Sequence, residues 1–389
     1  MKGNDMPHRE ALPLSRRNLL LSSVGLGAAT LLSSGKVFAQ AAAPAATSSS
    51  RMLGPIAVTP IGLGCQWSPG ADPATLNDQY GGSIPHETAI RMIRDAVDQG
   101  VTLIDTAEAY GPFLSEEVVG DALQGIRDQV VLETKFGWDI NPTTGQRTGG
   151  LNSRPDHVRT AIEGMLKRLR TDRLDIVIQH RVDPSVPIED VAAAISDLMA
   201  EGKVLHWGLS EPGIDTIRRA HAAQPLAVIQ NEYSMMWRGA EAEVLPLCEE
   251  LGIGFVCWSP MAMGFLGGKM TADSRFGEGI LSVIPRFAPD ALPANMALFD
   301  VLQAWAQEKQ ATPAQIALAW LSAQKPFFVP IPGTTKLDHM RDNVASANVT
   351  FSAEELAQLT AQVDAVQIKG ARLPEAVLQL SGVDTPMPS

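Results

Sequence analysis

Four side chains suited to acid–base work stand in three short segments: Asp105-Thr-Ala-Glu-Ala-Tyr110-Gly, Glu-Thr-Lys135-Phe-Gly-Trp138 and Ile-Gln-His180-Arg. A free tyrosine titrates near ~10 and is a poor proton donor at neutral pH. A lysine ammonium beside it favours the phenolate and eases release of the proton. A carboxylate next to the lysine keeps that amine charged and in place. A histidine near the phenol can hydrogen-bond a substrate oxygen and orient it. Together they describe general acid catalysis on a carbonyl oxygen. The set has no electrons to give, so a reduction would draw its hydride from a cofactor.

Each residue alone has an ordinary explanation, as a cap, a surface charge, a core histidine or a packing phenol. Position joins them. The segments follow the apolar, β-branched runs Val101–Ile104, Val130–Leu132 and Ile176–Ile178, each of which reads as the end of a buried strand. Eight strand-like runs occur in all: Ile61–Cys65, Thr102–Asp105, Val130–Lys135, Ile176–His180, Val204–Ser210, Val228–Glu232, Gly254–Trp258 and Phe328–Pro332. Amphipathic helical stretches fall between them, among them Glu87–Gln99, Arg154–Leu169, Ile188–Glu201, Ile214–Ala223, Glu241–Leu251 and Pro313–Gln324. This alternation predicts parallel βαβ units. Eight units predict an α/β fold of the (β/α)8 TIM-barrel type, whose active sites are built at the C-terminal ends of the strands. A doubly wound open sheet is the alternative. Gly100 and Gly202 are placed to stop helices, and Pro155 and Pro313 to open them. Two additions break the rhythm. One is a long loop, Gly264–Pro293, at the C-terminal face. The other is an additional C-terminal helix over Ser352–Val363.

The start of the chain reads differently. Ser15-Arg16-Arg17-Asn18-Leu19-Leu20 is a twin-arginine pattern, and the apolar segment Leu19–Leu32 is short for a membrane span. Val37-Phe38-Ala39 offers a cleavage site. The expected organisation is therefore an export signal over 1–39, a flexible lead-in over 40–51, one barrel over 52–374 and a C-terminal tail over 375–389. Export of the folded protein by the twin-arginine machinery, to the periplasm, is expected, with no stable membrane span after cleavage. The whole chain of 389 residues carries a net charge of −12, which becomes −15 without the first 39 residues. An acidic surface argues against nucleic acid and anionic membranes as partners. Cys65, Cys248 and Cys257 are odd in number and lie in apolar settings, so buried thiols are expected rather than disulfides. No Cys/His cluster has metal-ligand spacing, and no metal is expected.

The three segments resemble the aldo-keto reductase superfamily, with a match running from about Met52 to about Pro374. Asp105-Thr-Ala-Glu-Ala-Tyr110-Gly is similar to the signature after that family's second strand, and its tetrad falls on Asp105, Tyr110, Lys135 and His180. The resemblance implies Tyr110 as proton donor, tuned by Lys135 and Asp105, with His180 orienting the carbonyl. It implies that Ser210 and Gln230 hold the nicotinamide amide. Glu211 stands where many members have asparagine. Trp258-Ser259-Pro260 resembles a Tyr-Ser-Pro segment whose ring stacks on the nicotinamide. Met261, Gly264 and Leu266 would follow the pyrophosphate, with Met263 where many relatives place an arginine. Gly333, Thr334 and Lys336 correspond to the seat of the adenosine 2′-phosphate. His339 stands where the family usually has an arginine, and Asp342 and Asn343 match adenine-contacting positions. The implied cofactor is NADP(H), with NAD(H) as the alternative. Trp67 and Trp138 are candidate apolar walls for a small carbonyl or alcohol substrate.

Two other functions compete with reduction of a carbonyl. One is a non-catalytic nucleotide-binding regulatory or sensing subunit. The other is a barrel hydrolase or isomerase, which would need opposed carboxylates or a metal cluster.

Overall fold

The β-branched runs do form strands. The computed structural model describes residues 50–68 and 82–388, so the expected export signal and most of the lead-in lie outside the described residues. A hairpin of β1 (Arg51–Leu53) and β2 (Ile56–Val58) leads into the first barrel strand, β3 (Leu63–Gly64). Next come β4 (Leu103–Asp105) and β5 (Val131–Phe136), then a second hairpin, β6 (Trp138–Ile140) with β7 (Arg147–Leu151). The remaining barrel strands are β8 (Leu174–Gln179), β9 (Val204–Ser210), β10 (Val228–Glu232), β11 (Gly254–Trp258) and β12 (Phe328–Pro330).

The eight barrel strands are all parallel and lie side by side in chain order. The two edges meet: the Gly62 N–H donates to the Pro330 carbonyl at 3.0 Å, and Gly64 bridges Gly333 in parallel. A Cβ at Gly64 would lie 2.7 Å from the Ile331 carbonyl oxygen, so this seam needs a glycine. The fold is the expected (β/α)8 barrel.

The outer layer is α1 (His86–Asp98), α2 (Leu114–Ala122), α3 (Pro155–Leu169), α4 (Ile188–Ala200), α5 (Ile214–Ala223) and α6 (Val244–Leu251). It continues with α7 (Ile280–Val283), α8 (Leu292–Lys309), α9 (Pro313–Gln324), α10 (Leu337–Ala345), α11 (Ala353–Asp364) and α12 (Glu375–Leu378). Local chemistry sets several ends. Thr312 and Gln315 form a capping box before α9, and Ser352 and Glu355 form another before α11. Gly100 and Gly202 follow α1 and α4 at φ of 94° and 73°. The helix expected from Glu241 begins at Val244, because a tight turn occupies Gly239–Glu241. All three cysteines are buried free thiols.

Two hydrophobic layers hold the barrel. The larger lies between strands and helices. The smaller fills the interior, where Leu103, Ile176, Val228, Val256 and Val329 pack with Leu53, Ile56 and Val58 of the first hairpin. That hairpin lies at the N-terminal ends of the strands, since a Cβ at Gly54 would abut Ala227, just before β10. It closes the barrel floor. The other end is strapped by the C-terminal tail. The Gly382 N–H donates to the Glu211 carbonyl, the Gly213 N–H to the Val383 carbonyl, and the Arg219 guanidinium to the carbonyls of Thr385 and Pro386. Among the described residues no helix is long and apolar enough to cross a membrane.

Candidate active site

Parallel strands in register bring the chemistry together. Asp105 ends β4 and lies directly opposite Glu133 on β5. Lys135 is two residues beyond Glu133, and period-two alternation puts both on the same face of the strand. The Lys135 ammonium donates to Asp105 Oδ1 and, at 2.8 Å, to the Thr106 carbonyl. It lies 5.0 Å from the centroid of the Tyr110 ring. Tyr110 and His180 meet edge to face, with ring centroids 5.9 Å apart, and Trp138 meets the same imidazole at 6.1 Å. All four expected catalytic residues are buried at one end of the barrel.

Burial works against the Lys135 ammonium, yet Asp105, Tyr110 and Glu133 outweigh it and hold the amine charged well past its usual range. Burial pushes Glu133 well above the ordinary carboxyl range. Asp105 adds to the rise, and Lys135 opposes it. One ammonium thus faces two carboxyl groups, and burial disfavours the charged form of Glu133. Burial also lowers His180 well below its usual value, helped by the charges of Arg181, Lys135 and Arg147. A neutral imidazole therefore stands beside the phenol at neutral pH. Glu108, in the loop before Tyr110, accepts from the Gly137 N–H at 3.2 Å. Burial and the neighbouring Glu116 push it up to about 8.

Ser210 and Gln230 are opposite partners across β9 and β10. The Ser210 hydroxyl accepts from Arg181 at 3.1 Å. The Gln230 side-chain NH2 donates to Asp105 Oδ1 at 3.1 Å and also to Glu133. Trp258 ends the next strand, half-buried, and its indole N–H donates to Glu211 at 3.1 Å. Beyond Ser259 and Pro260 the backbone turns sharply. Ala262, Met263 and Gly264 all have positive φ, a strained arrangement typical of functional loops. Met261 accepts backbone bonds from Gly264 and Leu266 across this turn, while the Leu266 side chain is buried in the core.

The eighth strand leads to the last group. Gly333 sits on the barrel seam, and Thr334 Oγ1 accepts from the Lys336 N–H at 3.2 Å. Lys336 and His339 are exposed at the start of α10. Asp342 is engaged elsewhere, since Thr312 donates to its carboxylate at 2.7 Å, and Asn343 is buried. Of the two candidate walls, Trp138 adjoins His180, whereas Trp67 is 2% exposed and packs in the core.

The sequence reading assigned no role to several residues of this site. Glu133 was legible from its spacing to Lys135. Arg181, Glu232, Arg286 and Arg372 gave no local signal, because their partners are remote in the chain.

A closed barrel with a charged amine beneath a phenol, at the C-terminal ends of its strands, defines an α/β-barrel protein with an acid–base cluster where barrel active sites are built. Comparison with known proteins narrows the class. A sequence profile of the aldo/keto reductase family matches residues 73–364. The chain is 39% identical over 316 residues to a probable aldo-keto reductase 1 from Glycine max, covering 81% of this chain and 88% of that one. Among solved structures it resembles an aldo/keto reductase from Klebsiella pneumoniae in complex with NADP and acetate. That likeness has 28% identity, a TM-score of 0.62, and covers 84% of this chain and 99% of the other. A glycerol dehydrogenase from Gluconobacter oxydans shares the fold at 24% identity, with a TM-score of 0.73 over 84% of this chain and 98% of that one. The chain belongs to the aldo/keto reductase family and is an oxidoreductase.

Proposed function

We propose that this protein is an NADP(H)-dependent oxidoreductase that interconverts aldehyde or ketone carbonyls and alcohols, with Tyr110 moving the proton at the substrate oxygen. One observation carries the proton-transfer role: the Lys135 ammonium lies against the Tyr110 ring, with the neutral His180 imidazole edge-on to it. Lys135 stabilises the phenolate left after Tyr110 donates. Asp105 anchors the amine, and His180 orients the carbonyl oxygen. A bound reduced nicotinamide supplies the hydride.

The residues present suit that group. Ser210 and Gln230 are side by side, and bonds to Asp105 and Glu133 fix the Gln230 amide so that its oxygen is the end available to a carboxamide. Trp258 offers an indole face beside them. The positive-φ turn at Ala262–Gly264 suits close approach of backbone to an anion. The half-buried Thr334 and the exposed Lys336 and His339 supply a hydroxyl and cationic or polar groups for a terminal phosphate, and the NADP complex of the Klebsiella pneumoniae relative supports that choice. Asp342, already bonded to Thr312, would meet an adenine only on exchanging that bond.

The test is a panel of aldehydes and ketones assayed by loss of reduced-nicotinamide absorbance, with both nucleotides compared. Wild-type turnover with NADPH is expected. Tyr110→Phe should lower kcat/KM by on the order of a hundredfold or more, the scale of general acid catalysis. Unchanged turnover in that variant would remove Tyr110 from the proton step. No turnover in the wild type would favour a nucleotide-binding regulatory subunit.

We also infer export through the twin-arginine signal in residues 1–39, with nucleotide carried in the folded protein. Mass analysis of the secreted chain should show a start near Gln40, and dialysed protein should retain nucleotide. A nucleotide-free dialysed protein would sink the carriage idea.

A further inference from the structure

We propose that Arg372 positions the Trp258 ring through Glu211, so that the C-terminal segment sets how firmly the enzyme holds its nicotinamide nucleotide. The inference rests on the reading above, in which Trp258 is the stacking face.

The contacts form a chain. Arg372 Nη2 donates to Glu211 Oε2 at 2.6 Å, and Arg372 Nη1 donates to Glu211 Oε1 at 3.2 Å. The same Nη1 reaches Glu232 Oε2 at 3.1 Å. Glu211 Oε1 in turn accepts the Trp258 indole N–H at 3.1 Å and the Glu232 backbone N–H at 2.8 Å. One carboxylate therefore joins the ends of β9, β10 and β11 to a guanidinium 161 residues away. Arg372, Glu211 and Glu232 are all buried.

The backbone reinforces the link. Glu211 holds a left-handed conformation at φ 54°, costly for a residue with a side chain. That conformation is tied down from both sides: its N–H donates to Asn231 Oδ1 at 2.8 Å, and its carbonyl accepts from the Gly382 N–H at 2.9 Å. The tail thus grips Glu211 twice, through the Arg372 side chain and the Gly382 main chain. An asparagine at 211 would be shorter by one methylene and uncharged, and could not serve Arg372 as this carboxylate does. The Glu211 side chain is engaged by Arg372 and by the indole N–H. Trp258 is half-buried: it packs against both hydrophobic layers and lies under the Arg181 guanidinium, 5.8 Å from the ring centroid, and its bond to Glu211 is the polar anchor of the indole N–H.

The test uses the full-length protein and titrates NADPH by energy transfer from tryptophan to the reduced nicotinamide, alongside the KM for a carbonyl substrate. Arg372→Ala should weaken NADPH binding by about tenfold, the scale of a lost charged hydrogen bond. The carbonyl KM should stay within about twofold, because the Tyr110–Lys135 contact is untouched. Arg372→Lys should recover part of the loss. If Arg372→Ala does not fold, Glu211→Gln cuts the same link with little change of shape and should weaken NADPH in the same direction. A double-mutant cycle separates positioning from plain stability: in a Trp258→Phe background, Arg372→Lys should add almost nothing to the loss of affinity. Unchanged NADPH affinity in folded variants, or fully additive losses in that cycle, overturns the inference while normal wild-type binding leaves the enzymatic reading standing. A wild-type protein that binds neither nucleotide overturns both.

Discussion

Two buried charge clusters stand at the C-terminal ends of the barrel strands, one at β4 and β5 and the other at β9 and β10, and they are composed differently. Around Lys135 there are two acids, Asp105 and Glu133, and one base. Around Arg372 there are two acids, Glu211 and Glu232, and further bases, since Arg286 approaches Glu232 at 3.4 Å and Arg181 acts on Glu211. The second cluster has no shortage of positive charge. Burial still raises Glu232 against its arginines, while Arg372 and Arg181 bring Glu211 below the ordinary range despite burial. The first cluster has one base for two acids, and burial favours the protonated form of Glu133. The set rich in positive charge is a fastening. The set short of it is the one that touches the phenol.

The largest expected effect separates the two. Tyr110→Phe should abolish most turnover, as above, yet change unfolding free energy by less than ~1 kcal/mol in urea melts, because only a hydroxyl is lost. A large stability loss would mean that the first cluster is also a fastening. Glu232→Ala tests the opposite side. It strands the buried Arg286 guanidinium and removes one of the two carboxylate partners of Arg372, and should cost about 3–5 kcal/mol in the same melts. A cost under ~1 kcal/mol would show that water reaches the second cluster and that its charges are not truly buried.

Glu108 sharpens the contrast through pH. In the fold it keeps its proton up to about 8, whereas unfolded it releases near 4.5. The native state binds more protons across that window, so stability falls as pH rises from 4.5 through 8. Urea melts at several pH values should show a loss on the order of a few kcal/mol, flattened in Glu108→Gln. Equal slopes in the two proteins would place Glu108 in a wetter setting. The smallest effect belongs to Glu133→Gln, where a neutral amide replaces a neutral acid. A stability change under ~1 kcal/mol at pH 7 is expected. A loss of several would mean that Glu133 is ionised and the two clusters are less different than their composition implies.

The sequence made the barrel legible because each strand is a short, continuous β-branched run bounded by turn residues. All eight were found, and β9, β10 and β11 agree at both ends. The four candidate acid–base residues were legible because strand ends in a parallel barrel share one face. The helices α2 and α8 gave weaker signals. Gly120 interrupts α2, and α8 begins at the Leu292-Pro293 step that closes the Gly- and Pro-bearing loop. The Arg372 cluster was invisible for a different reason. Its partners are separated by 140 and 161 residues, and no local periodicity encodes a pairing at that range. Trp67 shows the remaining difficulty: an aromatic just past a strand can line a pocket or fill a core, and its burial at 2% exposure is matched by that of Lys135 and Tyr110 in the site itself.

The hairpin that seals the floor also has a kinetic consequence. With Leu53, Ile56 and Val58 plugging one end, every visitor must use the same doorway. Two visitors of unequal size that share a doorway form a queue. On the proposed function, a dinucleotide laid across several strand ends would have to enter before a small carbonyl and leave after it.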